Sequence, residues 1–238
     1  MIKFENVSFA YEKGEAVISD MSFDIARGEA VGLIGANGAG KSTIMKLMLG
    51  LVTANEGRVL VDGEEVGKNN LSQVRQKLGF VLQNSDNQMF MPTVYEDMMF
   101  APLNYGMSRE DAERKVDGVL DRLGLQYLKH KYHHKISGGE KRMAAIATIL
   151  AMGPEAVLMD EPTSALDPYN RRIVINTIRD MGQTRVITSH DLDMILDTCD
   201  RVILISEGRV VADGKAADIL SDKELLEANH MELPLSKN

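Results

Sequence analysis

Hydrophobic and polar residues change their spacing along the chain, from alternation near the start to short apolar runs further on. Residues 2–11 and 16–25 alternate apolar and polar positions, which is typical of half-buried antiparallel strands, and residues 12–15 are predicted to form the turn between them. Residues 30–34 are a continuous apolar run, as expected of a buried central strand. Glycines follow this run and lead to a predicted helix at about residues 41–51. The pattern therefore predicts an antiparallel β region followed by a strand, loop and helix unit.

The middle of the chain loses the strand pattern. Residues 57–66 and 78–82 are predicted strands, but residues 94–128 show helical spacing, with a helix start at Ser108. We therefore expect an α-helical subdomain, at about residues 84–153, inserted into the α/β part of the chain.

Strand patterns return in the last third of the chain, separated by predicted helices near residues 169–181 and 192–198; these strands are predicted at residues 156–159, 185–188 and 202–205. Alternating strands and helices predict an α/β fold with a mainly parallel sheet. No repeat or linker divides the sequence, so residues 1–238 are expected to form a single domain. The polar residues after about position 223 are expected to fray.

Composition and charge narrow the function classes. The formal net charge of −8 argues against a nucleic-acid partner, because such binding depends on neutralising many phosphates. Cys199 is the single cysteine, so no internal disulfide can form, which fits a reducing compartment. The longest apolar region, residues 143–159, is interrupted by Gly153, Pro154 and Glu155, and its pieces are shorter than the roughly 20 residues that span a bilayer. Any membrane role is therefore expected to depend on partner proteins.

A glycine-rich loop follows the predicted buried strand and carries the spacing of a phosphate-binding loop, with Gly, four residues, Gly, Lys and Ser or Thr. Its glycines allow backbone amides to surround phosphate oxygens, Lys41 adds positive charge at the β- and γ-phosphates, and the Ser42 hydroxyl suits Mg²⁺. The alternative is a turn that only links strand to helix, which the preceding buried strand disfavours. The predicted ATP-binding residues here are Gly35, Ala36, Asn37, Gly38, Ala39, Gly40, Lys41, Ser42 and Thr43.

Two carboxylates end a second predicted buried strand, in the sequence AVLMDEP. Asp160 is suited to hold Mg²⁺, and Glu161 is suited to act as the general base that orients the attacking water. His190, which follows a later strand, could donate a hydrogen bond to the γ-phosphate. Read in isolation, the acidic pair before Pro162 would be a solvated turn and His190 a structural histidine; together with the glycine loop they predict a catalytic site.

These motifs resemble the ATP-binding cassette (ABC) family of ATPases over almost the whole chain. ISGGE at residues 136–140 is similar to the signature motif of that family, and SALD, which ends at Asp167, is similar to its D-loop. Gln83 stands at the position of the loop glutamine, His190 at that of the switch histidine, and Tyr11 at that of the aromatic residue that stacks on adenine. The resemblance implies a P-loop NTPase core with an N-terminal antiparallel β subdomain.

The resemblance also implies roles and partners. Catalytic roles fall to Lys41, Gln83, Glu161 and His190, and Mg²⁺ ligation to Ser42, Gln83 and Asp160. Two chains, identical or related, would pair head to tail, so that ATP on the glycine loop of one is completed by the signature motif of the other; ATP contacts there are Ser137, Gly138, Gly139, Glu140 and Asp167.

Two features are similar to one subgroup, the energy-coupling factor type. The last signature position is Glu140, where the commonest form of the family has Gln, and Met143 stands where many members have a basic residue. SGGE followed by Lys141 and Arg142 is nevertheless familiar in this subgroup. Residues 83–90, QNSDNQMF, resemble the glutamine loop of its cobalt, nickel and vitamin importers. The implied function is to hydrolyse ATP and power such an importer, on the cytoplasmic side of the cell membrane, through transmembrane subunits.

Two alternatives remain open at this point. One is an ATPase of another ABC transporter class, and the other is an ABC ATPase that acts on DNA or ribosomes. The single copy of each motif, the acidic balance and the lack of sustained heptads count against the second.

Overall fold

Two β-sheets form the scaffold of the computed structural model, which describes residues 1–12, 14 and 16–237. The predicted turn at residues 12–15 includes Lys13 and Glu15, which lie outside the described residues. The strands are β1 (Ile2–Phe9), β2 (Ile18–Ile25), β3 (Ala30–Ile34), β4 (Glu56–Val61), β5 (Glu64–Glu65), β6 (Leu78–Val81), β7 (Ala156–Asp160), β8 (Thr184–Thr188), β9 (Arg201–Ser206) and β10 (Arg209–Lys215). The helices are α1 (Lys41–Met48), α2 (Leu71–Lys77), α3 (Val94–Asn104), α4 (Arg109–Leu123), α5 (Gly138–Met152), α6 (Pro168–Arg179), α7 (Leu192–Thr198), α8 (Ala216–Ile219) and α9 (Lys223–Ala228).

The first sheet is antiparallel, in the order β2-β1-β4-β5, and the second has the order β10-β9-β3-β8-β7-β6. Strands β9, β3, β8, β7 and β6 of the second sheet run parallel, and β10 is antiparallel to β9. The predicted α/β fold, with an antiparallel β region and a mainly parallel sheet, is confirmed.

The central strands are buried from end to end. All five residues of β3 are buried, as are the first four of β7, which explains their continuous apolar runs. One hydrophobic cluster joins the two sheets and α1, and a second packs the helices against the other face of the parallel sheet. Register brings the strand ends together, because Leu33 of β3 and Asp160 of β7 both pair with Thr188 of β8. The polar residues that follow these strands therefore emerge at one edge.

The helical segments between β6 and β7 begin where the sequence predicted. Ser108 caps α4, since its side chain accepts a hydrogen bond from the Asp111 amide, and Thr93 caps α3 in a capping box with Glu96. In the described part of the chain, no helix has the length and apolar character that crossing a bilayer requires.

The prediction of one strand over residues 57–66 is wrong. The chain turns at Asp62 and Gly63, whose φ values of 53° and 82° are both positive, and β4 and β5 form a hairpin around them. Asp-Gly is a strong signal for such a turn. A similar turn at Glu207 and Gly208, with φ values of 47° and 72°, joins β9 to β10, a strand that the sequence pattern missed.

The expectation that residues after about 223 fray is also wrong. Helix α9 is capped by Asp222, which accepts a hydrogen bond from the Leu225 amide at 3.0 Å, and Leu226 is fully buried. Further on, Asp193 of α7 accepts hydrogen bonds from the amides of Leu235 and Ser236 at 3.0 and 3.1 Å. The buried Leu226 and the hydrogen bonds to Asp193 therefore hold this segment against the rest of the fold.

We expect Leu226→Ala to lower the free energy of unfolding by about 2–5 kcal/mol, because it leaves a cavity in place of a buried side chain. Leu235→Ala is the matched control, since Leu235 is 80% exposed and its truncation should change stability by about 0.5 kcal/mol or less. Chemical denaturation measures both. Equal, small effects would show that the C-terminal segment does not pack as described.

Candidate active site

The glycine loop is shaped by backbone conformations that other residues rarely adopt. Gly35, Gly38 and Gly40 have φ values of 151°, 82° and 104°. A Cβ at Gly35 would also lie 2.1 Å from the Ile205 carbonyl oxygen, so a side chain cannot be accommodated there. The loop therefore passes close to the end of β9 before α1 begins at Lys41, and the partial positive charge at the N-terminus of α1 is suited to bind an anion.

Lys41 is held inside this loop. Its side chain is buried, and its ammonium donates hydrogen bonds to the carbonyls of Gly35 and Ala36 at 2.7 and 3.0 Å. Burial lowers the pKa of Lys41, while the nearby charges of Glu161 and Asp160 act in the opposite direction. The loop thus carries a cation at its centre that a phosphate can recruit.

Asp160 joins the ends of three elements. One of its oxygens, Oδ2, accepts a hydrogen bond from Ser42 Oγ of α1 at 3.0 Å, and the other accepts one from Thr188 Oγ1 at the end of β8. The hydroxyl and the carboxylate predicted to hold Mg²⁺ are therefore adjacent.

Glu161 sits at a left-handed backbone position, with φ of 49°. Its amide donates to the Thr188 carbonyl at 3.0 Å, and its Oε2 accepts a hydrogen bond from Ser189 at 3.3 Å. The other oxygen, Oε1, lies 3.6 Å from His190 Nε2; the glutamate side chain is 13% exposed and the histidine 49%. Burial raises the pKa of Glu161, and His190 is the largest of the influences that oppose this.

The predicted catalytic and metal-binding residues, with residues 37–43 of the glycine loop, converge on one cleft of about 400 Å³. It is lined by Val17, Asn37, Gly38, Ala39, Gly40, Lys41, Ser42, Thr43, Gln83, Asp160, Glu161 and His190. Tyr11 is tied to the same loop, since its hydroxyl lies 3.2 Å from Thr43 Oγ1 and 3.2 Å from Lys46 Nζ. A wider cleft of about 920 Å³ lies next to the first one. One of its walls is formed by Gly35, Ala36, Asn37 and His190, and the opposite wall is formed by α7 and the C-terminal segment.

The signature-like residues lie elsewhere. Among the described residues that line the 400 Å³ cleft, none comes from Ser137–Glu140. Ser137 caps α5 in a capping box, because Glu140 accepts a hydrogen bond from its amide at 2.8 Å and donates its own amide to the Ser137 hydroxyl at 3.3 Å. This contact lowers the pKa of Glu140, so the carboxylate that replaces the common Gln completes the cap.

The glycines at the start of α5 have different surroundings. A Cβ on Gly139 would lie 2.2–2.5 Å from the Asn170 side chain, whereas nothing lies within 4 Å of one on Gly138. Asp167 caps α6 by accepting hydrogen bonds from the amides of Tyr169 and Asn170 at 3.0 and 3.1 Å. Gly138 thus leaves the N-terminus of α5 open to an approaching group.

Sequence reasoning missed the residues that orient the carboxylates. Thr188 and Ser189 hold Asp160 and Glu161, and Arg171 of α6 binds Asp191 at 2.5 and 2.8 Å, next to His190. Asp191 also caps α7, accepting a hydrogen bond from the Met194 amide at 3.0 Å. The available signal was Asp191 itself, a favourable N-cap residue directly before a predicted helix.

The raised pKa of Glu161 predicts a pH-dependent stability. The folded protein binds this proton more tightly than the unfolded chain, so stability falls as pH rises from the ordinary value of 4.5 through the raised pKa. At a pH above the raised pKa, each unit by which the pKa is raised lowers the free energy of unfolding by about 1.4 kcal/mol. We expect Glu161→Gln to be more stable than the native chain at pH 8, with the difference narrowing below about pH 4.

Thermal or urea unfolding across pH measures this difference. Glu224→Gln, which alters an exposed carboxylate on α9, is the control and should change stability little at either pH. A native chain and Glu161→Gln variant of equal stability at pH 8 would contradict the burial argument.

Comparison with known proteins places this chain in a family. The chain matches the ABC transporter family model over residues 18–164. It is 38% identical to the energy-coupling factor transporter ATP-binding protein EcfA of Methanothermobacter thermautotrophicus, over 98% of this chain and 77% of that protein.

Solved structures agree with the sequence match. The structure of cbiO1 from Clostridium perfringens, described as part of the ABC transporter complex cbiONQ, has a TM-score of 0.86 at 32% identity, covering 95% of this chain and 93% of that one. The dimeric ATP-binding cassette MJ0796 with bound ADP and Pi has a TM-score of 0.80 at 28% identity, covering 91% and 99%. The resemblance inferred from the motifs is confirmed: this chain belongs to the ABC transporter family and is an ATP-binding, ATP-hydrolysing subunit of that family.

Proposed function

We propose that this chain powers an energy-coupling factor type importer of cobalt, nickel or a vitamin, by hydrolysing ATP in the cleft between the glycine loop and the carboxyl ends of β7 and β8. The observation that carries the ATPase part is the convergence of Lys41, Ser42, Asp160, Glu161 and His190 on that cleft. The importer type is supported by residues 83–90 and by relatives whose names include EcfA and cbiO1.

Mg²⁺ fits the oxygen donors at the cleft. Ser42 Oγ and Asp160 Oδ2 lie 3.0 Å apart, and both are oxygen ligands of the kind that Mg²⁺ prefers. No cluster of three or more His, Cys, Asp or Glu side chains suited to a metal occurs in the described part of the chain. A Mg²⁺ ion here would thus be held by Ser42 and Asp160, with Gln83 at the same cleft, and by oxygens of ATP and water. Its chemistry is the neutralisation of charge on the β- and γ-phosphate oxygens.

Each side chain of the cleft has a distinct part in hydrolysis. Lys41 exchanges the loop carbonyls for the β- and γ-phosphates, and Tyr11 stacks on adenine beside the loop. Glu161 accepts a proton from the attacking water; burial raises its pKa towards the working pH, which favours a general base. His190, half exposed beside Glu161, donates a hydrogen bond to the γ-phosphate, and Gln83 lies across the cleft.

The separation of the signature motif from the cleft supports a head-to-tail pair, with an identical or related chain. The N-terminus of α5 is open at Gly138, and it offers amide donors and a positive dipole end to the γ-phosphate of a partner. Ser137, Gly138, Gly139 and Glu140 of one chain would then complete the ATP site of the other, with Asp167 at the same interface. The dimer described for MJ0796 with ADP and Pi is a precedent for pairing of such cassettes.

An aromatic patch on the helical side supports contact with transmembrane subunits. Phe90 and Phe100 are 64% and 41% exposed, and their rings meet edge to face with centroids 4.8 Å apart. Leu103, 39% exposed, belongs to the same helix as Phe100. Exposed aromatic residues of this kind anchor protein interfaces. The patch belongs to the inserted subdomain, which we assign to about residues 84–153 of a single cassette of residues 1–238. Through this patch the cassette would dock on the cytoplasmic side of the membrane.

We expect Glu161→Gln to reduce ATP turnover on the order of a hundredfold, because it removes the general base, while ATP binding is retained. Steady-state phosphate release and a nucleotide titration measure the two effects. Near-normal hydrolysis by this variant would remove Glu161 from the role.

We expect Phe90→Ser to weaken association with the membrane subunits by about 2 kcal/mol, on the order of thirtyfold in affinity, because it truncates an aromatic anchor. Copurification from gently solubilised native membranes measures this loss, with Val211→Ser, a 45% exposed residue on β10, as the control. Recovery of a small solute-binding membrane protein with the native chain would support the importer type and indicate the cargo. Ribosomal or DNA-associated partners, unaffected by Phe90→Ser, would overturn the transport proposal.

A further inference from the structure

Arg142 is a buried cation on α5 with only backbone oxygens for partners. Arg142 is 4% exposed. Its guanidinium donates one hydrogen bond to the Leu82 carbonyl at 2.6 Å and another to the Gln83 carbonyl. In the described part of the chain, no carboxylate is close enough to pair with it, and burial lowers its pKa. Burying a charge without a counter-ion is costly, and the two carbonyl contacts offset part of that cost.

Two more side chains join the same segment to α5. Gln88 accepts a hydrogen bond from the Leu82 amide at 3.0 Å and donates one to the Ala145 carbonyl at 2.8 Å. Lys141 forms an ion pair with Asp86 at 2.6 Å. The segment after β6 is therefore fixed to the helix that begins at the signature motif, and Arg142 holds the two peptide units that position Gln83.

Among the described residues, none forms a hydrogen bond with the Gln83 side chain, whereas the Gln83 carbonyl is held by Arg142. Gln83 is exposed, and it lines both the ATP cleft and a neighbouring cleft of about 490 Å³ that contains Gly138, Lys141 and Arg142. The position of the Gln83 side chain relative to Asp160 and Glu161 therefore depends on the two hydrogen bonds by which Arg142 holds the backbone.

We infer that Arg142 is a positioning residue: its hydrogen bonds fix the backbone at Gln83 and so set where the Gln83 side chain lies at the metal end of the ATP cleft. This inference rests on the proposed function, in which Gln83 is a ligand of the nucleotide-bound cation. Arg142 touches neither ATP nor metal in this account and acts only through Gln83.

The test compares Arg142→Met and Arg142→Lys with a matched control. Arg75 also donates to two backbone carbonyls, those of Leu49 and Gly50 at 3.1 and 3.2 Å, but these lie at the far end of α1. Arg75→Met therefore removes the same kind of contact away from Gln83. Mn²⁺ is the probe, and its affinity for each full-length variant with a non-hydrolysable ATP analogue is measured by electron paramagnetic resonance.

We expect Arg142→Met to bind Mn²⁺ about tenfold more weakly, the loss typical of removing a group that orients a metal ligand, and Arg142→Lys to fall in between. Amide hydrogen exchange at residues 82–84 should accelerate in both variants, and Arg75→Met should match the native chain in both measurements. If Arg142→Met does not fold stably, the Mn²⁺ affinity and the exchange rates of Arg142→Lys alone test the inference.

Mn²⁺ affinity and exchange rates unchanged from the native chain would overturn the inference, and so would an equal loss in Arg75→Met, since that would mark a general effect of stability. Failure of the proposed function gives a different result: the native chain itself would then bind no Mn²⁺ with the nucleotide.

Discussion

The site depends on one meeting point, where Asp160 at the end of β7 accepts hydrogen bonds from Ser42 at the start of α1 and from Thr188 at the end of β8. Parallel pairing makes this contact possible, because strands that run in the same direction expose their carboxyl ends at the same edge. If β7 shifted by one residue, Asp160 and Glu161 would exchange sides of the sheet, and the carboxylate beside Ser42 would be lost. The buried apolar runs of β3 and β7, which fix the register, are therefore as necessary to the chemistry as the polar residues themselves.

The two carboxylates are neighbours in sequence but have different environments. Asp160 is held by two hydroxyl donors. Glu161 turns at a left-handed position into a buried space, and this burial raises its pKa. The different environments therefore give the two neighbouring carboxylates different roles. Asp160 is suited to bind a cation, and Glu161 is suited to accept a proton.

Sequence reasoning found the parts of the site that local patterns encode. The spacing of the glycine loop, the buried strand before Asp160 and the start of α4 at Ser108 are short-range features, and each was predicted from adjacent residues. What it missed depends on partners that are distant in sequence: Thr188 holds Asp160 from the neighbouring strand β8, and Arg142 of α5 reaches the backbone at Gln83. The Asp62-Gly63 turn was a local signal that was overlooked, whereas the anchoring of the C-terminal segment by Asp193 could not be read from sequence spacing.

We expect ATP to bind in the 400 Å³ cleft on the glycine loop and not in the wider cleft beside the C-terminal segment. A crystal structure of the Glu161→Gln variant with ATP and Mn²⁺ tests it most directly. We expect the phosphates to lie inside the loop, the Lys41 ammonium to have moved from the carbonyls of Gly35 and Ala36 to the β- and γ-phosphates, and Mn²⁺ to lie at Ser42. Nucleotide density in the wider cleft, with Lys41 still bonded to the loop carbonyls, would contradict it.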